Sequence, residues 1–180
     1  EFRRVLFRSF HHLNRTCTAM GARRLREILS RPLANVSAIL HRQEAVVELK
    51  SNPSLLRGLR DELSGIRDLE RLTAKIGLKT AAPRDLQAIQ QIFGCLPSIK
   101  LLLRERAKTD LLKTIEQKIS AFEDLHQLLA QRLRDELPTN TREGNIFRNG
   151  WHTELDELIR LTEDGKIGRA RVSTPVTATS

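Results

Sequence analysis

Between Leu112 and Leu137 apolar residues return every three or four positions: Leu112, Ile115, Ile119, Phe122, Leu125, Leu129, Leu133 and Leu137. A helix of 3.6 residues per turn places such a series on one face, whereas a strand would need strict alternation. Read without interruption over residues 109–137, the stretch predicts a strut helix about 40 Å long. Between Arg104 and Glu136 seven basic residues stand against seven acidic ones. Balanced charge of that kind suits a solvated strut and not a phosphate-binding stripe. The same period recurs along the chain, so the expected fold is all-α: a multi-helix domain with one long strut.

The other helices are delimited by their start and stop residues. Thr18 can cap a helix carrying Met20, Leu25, Ile28 and Leu29, which Pro32 ends after Arg31. Asn35 or Ser37 can cap the next, with Ile39, Leu40, Val46, Val47 and Leu49 as its stripe. Ser51-Asn52-Pro53-Ser54 then turns the chain into a segment holding Leu55, Leu56, Leu59 and Leu63. Arg-Asp-Leu occurs twice, at Arg67-Asp68-Leu69 and Arg84-Asp85-Leu86. Ser64-Gly65 closes one helix, and Asp68 falls in the first turn of the next, whose buried face is Leu69, Leu72, Ile76 and Leu78. Gly77 breaks that helix. Pro83 restarts one at its first position, where a missing N–H does no harm, and Asp85 offsets the helix dipole there. Both aspartates therefore mark helix beginnings; a catalytic pair would need a shared cleft that drives their pKa values apart. A break is expected at residues 94–97, a stop at Pro138, a polar loop through Asn149-Gly150, and a last helix from Glu154 to Glu163.

Signatures of chemistry are few. Gly165-Lys166 is the nearest approach to a phosphate-cradling Gly-x-x-x-x-Gly-Lys-Ser/Thr loop, but residue 160 is Arg and residue 167 is Ile. No Gly-x-Gly-x-x-Gly is present. His11, His12 and Cys17 lack the tight ligand pairs of a zinc site, and His41, His126 and His152 are single residues on helical patterns. No catalytic, cofactor-binding or metal residue is assigned. Two cysteines, Cys17 and Cys95, in apolar helical surroundings read as reduced, buried thiols of a cytoplasmic protein. No apolar run in this reading reaches the roughly 18–20 residues of a membrane span. Trp151 reads as a packing anchor at the start of the last helix.

Charge gives one candidate contact. Arg23, Arg24, Arg26 and Arg31 could meet phosphate, against the plainer reading of an Arg-rich solvated face. The first nine residues contribute +2 and the last fifteen +3 of the net +9, leaving +4 for residues 10–165. Neither end continues the helical pattern, so residues 1–9 and 166–180 are read as non-native scars or disordered termini.

Three motifs carry a resemblance. Residues 13–33, "LNRTCTAMGARRLREILSRPL", are similar to the opening of the helical core, or lever, domain of the MutS family of DNA mismatch-recognition proteins. Thr16, Thr18, Met20, Gly21, Arg23, Leu25, Arg26, Leu29, Pro32 and Leu33 match in register, and Ile28 stands where a Trp is common. The Asp68-Leu69-Glu70-Arg71 segment and the following Pro83-Arg84-Asp85-Leu86 resemble a second family stretch, with Ala82 where a Ser often precedes the Pro. Gly150, Glu154, Leu155, Asp156, Glu157 and Leu158 match a third, which leads toward the clamp. The resemblance covers residues 10–166.

The resemblance implies a lever domain truncated before the clamp, coupling an ATPase to a DNA clamp without a site of its own. ATP and Mg would belong to the full-length protein. So would its partners: mismatched double-stranded DNA held through other domains, a second copy in a homodimer, and downstream mismatch-repair factors. A cytoplasmic, nucleoid-associated protein with no membrane partner follows. Two alternatives stay open, a MutS homologue acting in recombination and a stand-alone helical DNA-binding module.

Overall fold

The computed structural model describes residues 9–172, with side chains through residue 162. Its helices are α1 (Ala19–Ser30), α2 (Val36–Ser51), α3 (Pro53–Ser64), α4 (Leu69–Gly77), α5 (Pro83–Arg106), α6 (Asp110–Lys118), α7 (Glu123–Arg132) and α8 (Thr153–Val172), with a 3₁₀ turn at Thr141–Glu143. Residues 9–13 are also helical. Among the described residues no strand forms; one antiparallel bridge pairs Leu133 with Phe147. The fold is all-α.

Short polar side chains set most of the helix starts. Thr18 Oγ1 accepts from the Gly21 amide, Asn35 from Ala38 and Asn52 from Leu55. Each bond satisfies an amide that the first helical turn leaves without a partner. Pro53 and Pro83 both occupy first-turn positions. Asp68 sits one step earlier than the sequence pattern suggests: it is the N-cap of α4, accepting from the Arg71 amide, and not a first-turn residue. Leu72 is buried beneath α4, but Ile76 and Leu78 are exposed, so the expected buried face is shorter than its period.

α5 is the mast of the fold, with α3, α4, α6 and α7 packed on it and α2 packed on α3 and α6. It overturns the expected break at residues 94–97. The helix runs unbroken through Pro97, which faces solvent, while Ala88, Ile89, Ile92, Ile99 and Leu103 are buried. An interior proline costs a helix about 3 kcal/mol. Burying each large aliphatic side chain returns about 1.5–3 kcal/mol, so the four present offset it. Gly94 serves this packing: a Cβ there would lie 3.2 Å from the His126 ring of α7. By length and composition α5 is apolar enough to cross a membrane, which the reading of two shorter segments concealed.

The strut of residues 109–137 is also corrected. α6 stops at Lys118, and Phe122 takes left-handed backbone angles (φ 50, ψ 37) before α7 begins. No glycine or proline forces the break; the left-handed region costs an L-residue about 1–2 kcal/mol. The return is local: the Phe122 ring stacks on Phe93 with centroids 5.1 Å apart, and Lys100 Nζ donates to the freed Ile119 carbonyl at 2.9 Å. The chain's long packed helix is α5 instead, 24 residues or about 36 Å. Leu112, Leu133 and Leu137 are buried, whereas Ile115, Phe122 and Leu125 remain exposed. α7 ends at Arg132, before the expected stop at Pro138, because Leu133 turns to meet Phe147.

The backbone of α8 continues past Lys166 to Val172. The reading of residues 1–9 and 166–180 as non-native falls mostly on residues 1–8 and 173–180, which lie outside the described residues.

Candidate functional site at the helix joints

The residues singled out by the three motifs gather at the joints between helices. At the entry to α1, Asn14 Oδ1 accepts from the Thr16 amide (3.2 Å) and hydroxyl (2.7 Å). Thr18 then caps α1 through the Gly21 amide at 2.9 Å. A Cβ on Gly21 would sit 3.0 Å from the Thr18 hydroxyl and 3.4 Å from Thr16 Cβ, so the cap itself selects glycine there. Met20, Leu25 and Leu29 are half-buried, and α1 buries no residue fully.

An ion cluster supplies what packing does not. Arg23 of α1 forks onto Asp68 with bonds of 2.7 and 2.8 Å and also bonds Glu70. Planar guanidinium geometry makes such a pairing directional as well as attractive. Asp68 meanwhile caps α4, so one carboxylate fixes both the start of that helix and the position of α1. The Arg23 hydrogen bonds hold the Asp68 pKa at about 2, against the opposing effect of burial and with help from the Arg71 amide. Asp68 and then Glu70 push the Arg23 pKa upward in turn.

This geometry gives three of the four candidate phosphate contacts partners within the chain. Arg23 is committed to two carboxylates, Arg24 pairs with Glu27 at 2.6 Å, and the Arg26 guanidinium lies 4.6 Å from the Phe10 ring centre. Arg31 is exposed beyond the end of α1. Pro32 and Leu33 line an apolar groove with Ile28, Ile39, Val46 and Val47.

At the second joint Ala82 is the N-cap of α5 and has no side-chain acceptor to offer. Asp85 reaches back instead, accepting from the Ala82 amide at 2.8 Å and from Lys75 Nζ at 2.9 and 3.0 Å. The Ala82 amide bond lowers the Asp85 pKa most, burial opposes it, and Lys75 adds to the lowering. Pro83 is buried and Leu86 half-buried. Arg84 Nε donates to the Leu137 carbonyl at 3.1 Å, and Gln87 to the Asp135 carbonyl at 2.8 Å.

The third joint is the loop before α8. Gly150 adopts φ +86, a left-handed angle that favours glycine, and its amide bonds Asp156 at 2.8 Å. Glu154 is exposed and Leu155 half-buried. Trp151, read as a packing anchor, stays exposed, with its ring 4.8 Å from the Phe147 ring and 5.0 Å from the Arg132 guanidinium.

Sequence reasoning missed several joint residues. Arg148 Nε donates to the Leu133 carbonyl at 2.7 Å, and its guanidinium also bonds Asp135. Arg134 donates to the Phe147 carbonyl and to Asn149. Glu48 of α2 accepts from the Lys108 and Thr109 amides at 2.6 and 2.8 Å, capping α6 from 60 residues away. No local pattern signals such a cap. Cys17 and Cys95 are free and half-buried, not fully buried as expected; burial raises the Cys95 thiol pKa. The His11 and His12 rings lie edge to face at 6.2 Å, and among the described residues no three ligating side chains gather for a metal.

Arg23, Asp68 and Glu70 thus join the first two motifs directly, while the Gly150–Asp156 bond of the third stays within its own loop; comparison with known families identifies the framework. The sequence model of MutS domain III matches residues 8–173. The chain belongs to the MutS family. It is 39% identical over 160 residues to the DNA mismatch repair protein MutS of Lachnoclostridium phytofermentans, covering 89% of this chain and 17% of that protein. Similarity to the MutS of Symbiobacterium thermophilum is also 39% over 160 residues, 89% of this chain and 18% of the relative. With the MutS of Exiguobacterium sp. it is 40% over 154 residues, 86% of this chain and 18% of the relative. The chain therefore spans less than a fifth of the length of these curated relatives. Its helical fold is that of a MutS domain III.

Proposed function

We propose that this MutS segment is a lever within a mismatch-repair protein, transmitting conformational change between parts that bind nucleotide and parts that bind mismatched DNA. The relatives bear the name DNA mismatch repair protein, which supports that process for the parent. ATP and Mg would act at a site elsewhere in the parent, and mismatched duplex, a second copy and later repair factors would be the parent's partners. The compartment that fits is the cytoplasm, at the nucleoid.

One observation carries the lever reading: Arg23, one of the four candidate phosphate contacts, instead ties α1 to the start of α4 across 45 residues of sequence. A force applied at α1 reaches α4 through that ion cluster, and a packed helical body with discrete joints moves as pieces, not continuously.

The test is to titrate the 180-residue chain with fluorescent mismatched and matched duplexes at low salt. The lever reading predicts no measurable binding of either. Salt-sensitive binding of both would support the DNA-binding-module alternative. A read of the coding frame then separates repair from recombination: a mismatch-reading segment upstream supports repair, and its absence favours the recombination homologue.

A further inference from the structure

Eight of the buried apolar residues fall into two clusters, while Leu55, Leu133 and Leu137 lie outside both. One gathers Ala45, Ile99, Leu103 and Leu112; the other gathers Leu72, Ala88, Ile89 and Ile92. From α2 onward the chain passes between them three times. α3 reaches α4 through non-helical residues 66–68. α5 crosses between Phe93, which backs the second cluster, and Cys95, which backs the first, two residues before Pro97. α6 reaches α7 through residues 119–122, Ile119 backing the first cluster and Leu129 the second. No uninterrupted, fully hydrogen-bonded helix joins the two sides, because Pro97 has no amide to offer the Phe93 carbonyl.

The second and third interruptions lie at one level. Phe93 stacks on Phe122, and Lys100 holds the Ile119 carbonyl. Ile66, in the first crossing, packs against both clusters. The third interruption also has an alternative form written into it. Residues 112–129 keep the apolar period of one continuous helix, residues 119–122 contain no glycine or proline, and Phe122 holds a left-handed angle that an L-residue avoids.

We propose that the domain is two rigid blocks joined by a hinge plane through residues 66–68, Pro97 and residues 119–122, with the α6–α7 joint straightening as α5 bends. The segment containing α1 is tied to the plane: Arg23 of α1 holds Asp68 at the first crossing, and Arg60 of α3 holds the carbonyl of Arg15, ahead of α1, at 3.0 Å. The hinge goes beyond the lever reading and needs neither DNA nor nucleotide, so either can fail without the other.

The test is pulsed spin-label distance measurement on the 180-residue chain with Cys17→Ala and Cys95→Ala. Labels at Ala74→Cys and Lys113→Cys span the plane, and a pair at Ala74→Cys and Gln127→Cys lies within one block. Ala74, Lys113 and Gln127 are all exposed. The expected cross-plane distribution is at least about twice as wide as the control, since hinge motions displace whole blocks. Pro97→Ala, which restores the missing amide, narrows it to the control width. Equal widths in the two pairs, or a wide cross-plane distribution unmoved by Pro97→Ala, overturns the hinge. On the unlabelled chain, hydrogen exchange gives a second reading. Ile92→Ala is expected to lower protection in α4 and the first half of α5 and to spare α6; a uniform loss across both clusters overturns the two-block division.

Discussion

Replacing Ala82 by Ser should stabilise the protein, and the structure sets how much. Ala82 has the extended backbone of an N-cap (φ −83, ψ 160), so a serine fits there without rearrangement. Only half of a reciprocal cap exists now, the Asp85 carboxylate on the Ala82 amide. A serine hydroxyl would face the Asp85 amide and complete the pair. A full N-cap is worth about 1 kcal/mol over alanine, within a range of about 0.5–2. The Asp85 amide already reaches the Ala82 carbonyl at 2.9 Å, so the hydroxyl shares a partially satisfied donor. That places the gain in the lower half, about 0.5–1 kcal/mol. At this chain length the melting temperature would rise by about 1–4 °C. Urea unfolding followed by circular dichroism measures it, with Ala81→Ser, one residue outside the cap, as a control held within about 0.5 kcal/mol of wild type. No gain from Ala82→Ser, or an equal gain from Ala81→Ser, would refute the assignment of the joint.

Three further outcomes follow from the same geometry. Asp68 should titrate at about 2, below its ordinary 3.8, in a carbon-detected NMR titration. Because its folded pKa is the lower one, its stabilisation is complete above the ordinary carboxylate range and fades as pH falls through the folded value; in Arg23→Gln the titration should return toward 3.8. Glu48→Ala should cost about 1–2 kcal/mol in urea unfolding by orphaning the Lys108 and Thr109 amides, and an unchanged midpoint would show those bonds to be idle. Ile92→Ala, at a side chain 1% exposed, should cost about 2–5 kcal/mol, and a loss below about 1 would show the second cluster to be loosely packed.

Local rules read the helix starts well because a cap is made by residues three apart. Thr18, Asn35 and Pro83 act where their chemistry places them. Periodicity alone failed at the two places where packing overrides it. Pro97 reads as a stop, yet four buried aliphatics hold α5 together around it. Residues 109–137 read as one rod, yet the ring of Phe122 finds Phe93 and the chain bends. The motifs pointed to the joints, but not to what they do there. That Arg23 meets Asp68 and Glu70, or that Arg84 meets the Leu137 carbonyl, depends on helices brought together by the cores. The bonds made by Glu48, Arg134 and Arg148 had no local signal at all, since each partner lies 13 to 61 residues away.

The central claim is that these joints transmit motion and do not themselves hold DNA or nucleotide. Its most direct test grafts residues 16–158 into a full-length MutS relative, such as that of Exiguobacterium sp., and measures how far a mismatched duplex stimulates nucleotide turnover. The measurement is then repeated with Arg23→Glu, which sets a negative charge against Asp68 and Glu70. The lever account predicts that mismatch affinity and basal turnover persist while stimulation of one by the other falls. Loss of mismatch affinity with stimulation intact, or no change in either, would contradict it.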